Sequence, residues 1–120
     1  MKIAALQMVS TPDVARNLDA AAALIARAAG AGAQLVALPE YFCLMGRHDD
    51  DKLAIAEAPG DGPIQQFLSA QALQQGVWIV GGTLPLRTGR AERVRNSSLV
   101  FAPEGRIAAR YDKMHLFAFD

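Results

Sequence analysis

Three short apolar runs, Ile3-Ala4-Ala5-Leu6, Leu35-Val36-Ala37-Leu38 and Val77-Trp78-Ile79-Val80, alternate with two stretches whose apolar residues recur at helical spacing. Unbroken apolar runs of this length predict strands buried on both faces. The first is expected over residues 2–9, the second over 35–38 and the third over 77–80. Between the first two, Leu18, Ala22, Ile25 and Ala29 fall on one helix face, with Arg16, Asn17 and Arg27 facing water. Thr11 is the expected N-cap, Pro12 suits the first helical position, and Asp13 favours the positive end of the helix dipole. Gly30 and Gly32 stop the helix. A strand, a helix and a strand of these lengths predict a right-handed parallel crossover.

The later pattern continues in the same style. Residues 53–56 fit a short helical turn. Pro59-Gly60-Asp61-Gly62-Pro63 is strong turn punctuation. Pro63 opens a second helix, with Ile64, Phe67, Leu68 and Ala72 inward and Gly76 at its end. Gly81-Gly82-Thr83 follows the third strand, and paired glycines there let another backbone or a ligand come close. Residues 95–101 and 106–112 read as two strands joined by the turn Ala102-Pro103-Glu104-Gly105, hence antiparallel. The fold class is therefore α/β with a mixed sheet.

The run at 35–38 is the pivot. Pro39 has no N–H for a ladder and holds Leu38 extended, so the strand ends there. Glu40 is delivered at the carboxyl end, where open α/β sheets bind ligands. Tyr41 and Phe42 stand beside it and are candidates for lining a substrate pocket. If they dry the carboxylate, its pKa rises and it can act as a general base; otherwise it is a plain loop acid facing water. Lys113 ends its own strand in the same way. If the two strands are neighbours, a carboxylate and an ammonium share one cleft. In amide chemistry the acid moves a proton and the ammonium stabilises charge on the attacked carbonyl, while covalent acyl transfer still needs a nucleophile.

Composition narrows the classes. With 120 residues, 52% of them hydrophobic, the chain makes one globular domain. Lys plus Arg equals Asp plus Glu at 12 each, which gives no reason to expect a nucleic-acid partner. One cysteine allows no internal disulfide. No segment reads as a signal or membrane span, so a cytoplasmic setting is expected. His48 with Asp49, Asp50 and Asp51 reads as a solvated loop and not as a metal site. Arg87, Arg90, Arg93 and Arg95, with Glu92 among them, read as a wet hairpin. Trp78 is expected in the core. Gly30-Ala31-Gly32 and Gly60-Asp61-Gly62 lack the third glycine of a dinucleotide fingerprint, which disfavours a nucleotide-binding domain.

Taken in order, Ala5-Leu6-Gln7-Met8, Asn17-Leu18, residues 33–40, Gly81-Gly82-Thr83, Asn96-Ser97-Ser98, Pro103-Glu104-Gly105 and residues 111–117 form a specific set. The chain resembles the N-terminal part of the nitrilase superfamily of carbon–nitrogen hydrolases. Lys113-Met114-His115-Leu116-Phe117 is worded more like the ω-amidase and deaminated-glutathione amidase branch than like the true nitrilases. The resemblance implies an α-β-β-α sandwich, here about its N-terminal half, as a mixed sheet with helices on one face. It implies hydrolysis of a non-peptide C–N bond in a small linear amide, no cofactor, no metal, and a homo-oligomer in the full-length form. In its Glu-Lys-Cys triad, Glu40 matches the general base and Lys113 the oxyanion-stabilising lysine. His115 is expected to position the lysine strand. The nucleophilic cysteine follows the lysine in the family, and no residue up to Asp120 matches it. Cys43 belongs to no matching motif and is expected to be an apolar filler. The 120-residue chain alone is therefore expected to be inactive. A non-catalytic module acting in assembly or binding is the alternative. An open sheet edge and uncovered helix faces predict marginal stability or association.

Overall fold

The computed structural model describes residues 1–47, 50–90 and 93–113. His48, Glu92 and His115, weighed above, lie outside them, as do the last four residues of the 113–117 motif. Chain order is β1 (Ile3–Ala5), α1 (Val14–Gly30), β2 (Leu35–Ala37), α2 (Asp50–Ile55), α3 (Pro63–Gln75), β3 (Trp78–Val80), β4 (Leu84–Arg87), β5 (Val94–Phe101) and β6 (Ile107–Asp112). The expected parallel crossover is present: β1, β2 and β3 pair parallel in that order. β5 then runs antiparallel to β3, β4 and β6, so the sheet is mixed.

Residues in register across a sheet share a face. Ala4, Val36, Ile79 and Phe101 are in register and carry the buried side, against which α1 and α3 pack. The opposite face bears Ile3, Leu35 and Trp78 in one row and Ala5, Ala37, Val80 and Val100 in the next. These are exposed or half-buried. The expectation of strands covered on both sides therefore holds for one side among the described residues. Trp78 is not in the core, because its neighbour Ile79 faces the helices and the pleat turns the indole away.

Two local expectations are corrected. Asp13, not Thr11, caps α1, its side chain accepting the Arg16 N–H at 3.2 Å. Thr11 Oγ1 instead donates to Asn17 Oδ1 at 3.0 Å. Asn17, expected to face water, is 1% exposed and shares the inner face with Ala21 and Ile25. Its amide donates to the Thr11 carbonyl at 2.7 Å and the Cys43 carbonyl at 2.8 Å. A buried amide so satisfied stabilises the contact, here between the start of α1 and the loop that follows Glu40.

Gly62, the N-cap of α3, has no side chain to cap it. Glu57, buried, does so from outside. Its carboxylate accepts the Ile64 N–H at 2.6 Å and the Gln65 N–H at 3.1 Å, as an anion at a helix N-terminus should. Its backbone bonds Pro85 and Arg87 on β4, at 3.2 and 2.8 Å. Gly62 makes the room, since a Cβ there would stand 2.3 Å from the Glu57 carboxyl carbon. Glu57→Ala is expected to cost about 2–4 kcal/mol in urea denaturation, because it leaves two buried N–H groups unpaired. Glu57→Gln keeps an acceptor oxygen and is expected to cost less.

β3 and β4 lie along the same edge of β5, with β6 on the other. Val80 pairs with Val100 and Leu84 with Ser97, so Gly81-Gly82-Thr83 oppose Ser98-Leu99. One surplus residue makes a bulge, which bends the strand and re-aims the backbone. The bulge lies beside the end of β2.

Candidate active site

Leu38 still donates to the Val80 carbonyl at 2.9 Å, and Pro39 then ends the pairing of β2. Gly82, at φ +59, faces Pro39 so closely that a Cβ would stand 2.0 Å from the Pro39 carbonyl oxygen. The close approach expected of the paired glycines is thus made by a neighbouring backbone. Thr83 Oγ1 accepts the Tyr41 N–H at 2.8 Å. Tyr41 is held at φ 47, a left-handed conformation that a non-glycine residue keeps when its surroundings impose it. Glu40 is gripped between these two contacts.

The Lys113 N–H donates to the Asn96 carbonyl at 2.8 Å, which extends the β5–β6 pairing by one residue. Asn96 and Lys113 therefore stand side by side on the open face. Glu40 Oε2 accepts from Lys113 Nζ at 2.8 Å and from Asn96 Nδ2 at 3.0 Å. Glu40 and Lys113 meet as expected, but not because their strands are neighbours: β3 and β5 lie between β2 and β6. The loop after Pro39, seated on the bulge, carries the carboxylate across that gap.

The electrostatics correct a second expectation. Lys113 first, then Asn96, holds the Glu40 carboxyl below its ordinary value, and the charge of Lys52 adds to this. Burial works in the opposite direction and loses, because the Glu40 side chain is 53% exposed. Its aromatic neighbours do not dry it. Phe42 is wholly buried in the core and is not brought to the site, which corrects its place as a pocket wall. Tyr41 stays beside Glu40, and Lys52 Nζ sits 4.2 Å from its ring centroid, a cation–π distance. Burial pushes the Tyr41 hydroxyl up to about 12.

Cys43 is wholly buried, as an apolar filler should be, and burial pushes its thiol up to about 12. A thiol so placed is neutral at neutral pH and out of reach. None of Arg87, Arg90, Arg93 and Arg95 pairs with Glu40, whose partners among the described residues are Asn96 and Lys113. Arg87, Arg90 and Arg93 line a cavity of about 450 Å³ with Leu53 of α2 and Ala56 just after it, and Arg95 faces Asp112 at 3.9 Å. Among the described residues, no group of three or more His, Cys, Asp or Glu is placed to hold a metal, and no helix is long and apolar enough to cross a membrane.

Asn96 and Thr83 are the site residues that reading by residue type did not assign. The available signal for Asn96 was the alternation along 94–101, which puts it on the opposite face from Ser97, Leu99 and Phe101.

Acid should loosen the fold in a defined way. Glu40 and Asp112 are both held below their ordinary values, 4.5 and 3.8, the latter first by Arg110 and then by Ser97. A carboxyl lowered in the folded state adds stability above its unfolded value. That contribution is lost as pH falls through the folded value. The urea midpoint is expected to drop from pH 5 to pH 3, and to drop less in Glu40→Gln.

Known proteins resemble the chain in sequence and in fold. A family profile described as carbon–nitrogen hydrolase matches residues 2–120. The chain is 40% identical over 115 residues to a deaminated glutathione amidase of Synechocystis, covering 95% of the chain and 42% of that relative. It is 34% identical over 119 residues to the omega-amidase NIT2 of Danio rerio, covering 99% and 42%. The chain thus spans about two-fifths of the length of these relatives. An amidase from Nesterenkonia sp. superposes with a TM-score of 0.82 at 29% identity, covering 98% of this chain and 44% of that one. In a further structure of the amidase from Nesterenkonia sp. AN1, acrylamide has undergone Michael addition at the active-site cysteine.

Proposed function

The chain belongs to the carbon–nitrogen hydrolase family, and on that premise we propose that Glu40 and Lys113 are the base and the oxyanion-stabilising group of an enzyme that hydrolyses the C–N bond of a small linear amide, of the ω-amide kind. The observation that carries this reading is the 2.8 Å contact between Lys113 Nζ and Glu40 Oε2 at the ends of β6 and β2. In this reading the nucleophile is a cysteine thiol, like the active-site cysteine of the Nesterenkonia amidase, and Cys43, buried in the core, is not that group. Glu40 takes the thiol proton as sulfur attacks the carbonyl, and the Lys113 ammonium stabilises the oxyanion. Glu40 returns the proton to the amine, and ammonia leaves as the C–N bond breaks. Water then attacks the thioester, giving its proton to Glu40, and the acid departs as the thiol reforms. Tyr41, next in the chain to Glu40, lines the substrate pocket in this reading.

Substrate is a small amide, and neither cofactor nor metal enters the scheme. Without the cysteine, the 120-residue chain alone turns over no amide. The test joins residues 1–120 to the part of the Synechocystis relative that they leave unmatched and measures ammonia release from glutaramate and glutamine-like amides. Release is expected from the joined protein and not from the 120-residue chain. A folded joined protein that releases none contradicts the reading. So does turnover by the short chain that Glu40→Gln abolishes. A second reading, a module acting in assembly, draws on the apolar rows of the sheet face left open among the described residues, where Ile3 is 63% exposed. Ammonia release by the joined protein separates the two.

A further inference from the structure

We infer that Asn96 is a positioning residue that divides the two carboxylate oxygens of Glu40 between two tasks, pinning Oε2 so that Oε1 is left to move the proton. The inference rests on the reading of Glu40 as the base. Both donors that reach the carboxylate, Asn96 Nδ2 at 3.0 Å and Lys113 Nζ at 2.8 Å, go to Oε2. Among the described residues, no hydrogen bond occupies Oε1.

The two donors differ in how firmly they are held. Lys113 reaches Glu40 on a long, half-exposed stem from the first position after β6. Asn96 sits inside β5, paired to Pro85 on one side and accepting the Lys113 N–H on the other. A short side chain on a rigid strand fixes geometry better than a flexible ammonium. An ammonium alone can bridge either oxygen as the carboxylate turns; a second donor on the same oxygen stops that turn. The amide is neutral and gives up no proton near neutral pH, so it steadies the base without competing for its proton.

The other end of the same amide points to the same role. Asn96 Oδ1 is buried with no hydrogen-bond partner among the described residues. An unpaired buried carbonyl is costly and calls for an explanation. Turning the amide over would aim that oxygen at Oε2 and leave two acceptors facing each other. The orientation is therefore set by Glu40. Among the described residues, the charged and titratable groups around the carboxylate are Lys113 just after β6, Lys52 on α2, and Tyr41 next in the chain.

The test follows the Glu40 carboxyl through pH by carbon-13 NMR in the 120-residue chain, with a thermal melt as a folding check. In Asn96→Ala its midpoint is expected to rise toward the ordinary glutamate value. Asn96→Asp, which keeps the shape and replaces the donor with a negative charge, is expected to raise it further, and Asn96→Gln to restore part of the loss. In the joined protein, Asn96→Ala is expected to lower kcat by about 10- to 100-fold with KM little changed. A midpoint unmoved in both Asn96→Ala and Asn96→Asp overturns the inference, whatever the enzyme does. A moved midpoint with unchanged kcat overturns the positioning role. A joined wild-type protein with no turnover at all overturns the reading of Glu40 as a base and leaves the titration result standing.

Discussion

Glu40→Gln in the joined protein is expected to cut ammonia release by about 100- to 10,000-fold, with KM close to that of the unchanged protein. The size follows from what the substitution keeps and what it removes. Glutamine has nearly the shape of glutamate and offers an oxygen where Oε2 accepts from Lys113 and Asn96. It cannot take a proton from a thiol or return one to a leaving amine. Substrate contacts and folding should survive, so the loss falls on kcat. Initial rates of ammonia release over a range of amide concentrations measure it, and an unfolding free energy from urea denaturation within about 1 kcal/mol of the parent confirms that the site has not collapsed. A variant that keeps more than a tenth of the parent rate would remove Glu40 from the chemistry.

The second large effect is on stability. Gly82→Ala is expected to cost about 3–5 kcal/mol, enough to unfold a marginal domain. The added Cβ would meet the Pro39 carbonyl oxygen at 2.0 Å, the Pro39 carbonyl carbon at 2.9 Å and the Leu38 carbonyl oxygen at 3.1 Å. All three are backbone atoms and have no rotamer into which to retreat. The left-handed φ of +59 adds a conformational cost of about 1–2 kcal/mol. Gly76 separates the two terms. It has a similar φ of +66 with nothing within 4 Å of an added Cβ, so Gly76→Ala bears the conformational cost alone. Urea denaturation of the two variants side by side is expected to place Gly82→Ala well below Gly76→Ala. Equal midpoints would mean that the Pro39 loop shifts freely, and Glu40 with it.

These two positions also show what the amino-acid pattern discloses. The strand that stops at Pro39, the glycine pair after the third strand, and the acid and amine at two strand ends are all plain in the sequence. Each depends on a local property: a missing N–H, a missing Cβ, a charge beside an apolar run. The placement of Trp78 is not local. It depends on which side of the pleat the helices cover, and that is decided by α1 and α3 together. Asn17 misleads for a related reason. Its polarity suggests water, yet two carbonyls and a Thr11 N–H from separate segments await it at the start of α1. The sign of the Glu40 shift was hidden too. It depends on whether aromatic burial outweighs two donors, and both donors lie more than fifty residues further along the chain. The bulge, on which the loop that carries Glu40 is seated, arises from a one-residue difference in register.

The most direct check of the pairing is a kinetic double-substitution cycle on the joined protein, with Glu40→Gln, Lys113→Met and both together. If the acid and the ammonium work on one proton transfer and one oxyanion, the double variant should be about as slow as the slower single variant. Losses that multiply, or a Lys113→Met protein at full speed, would mean that the two groups touch without acting as a unit.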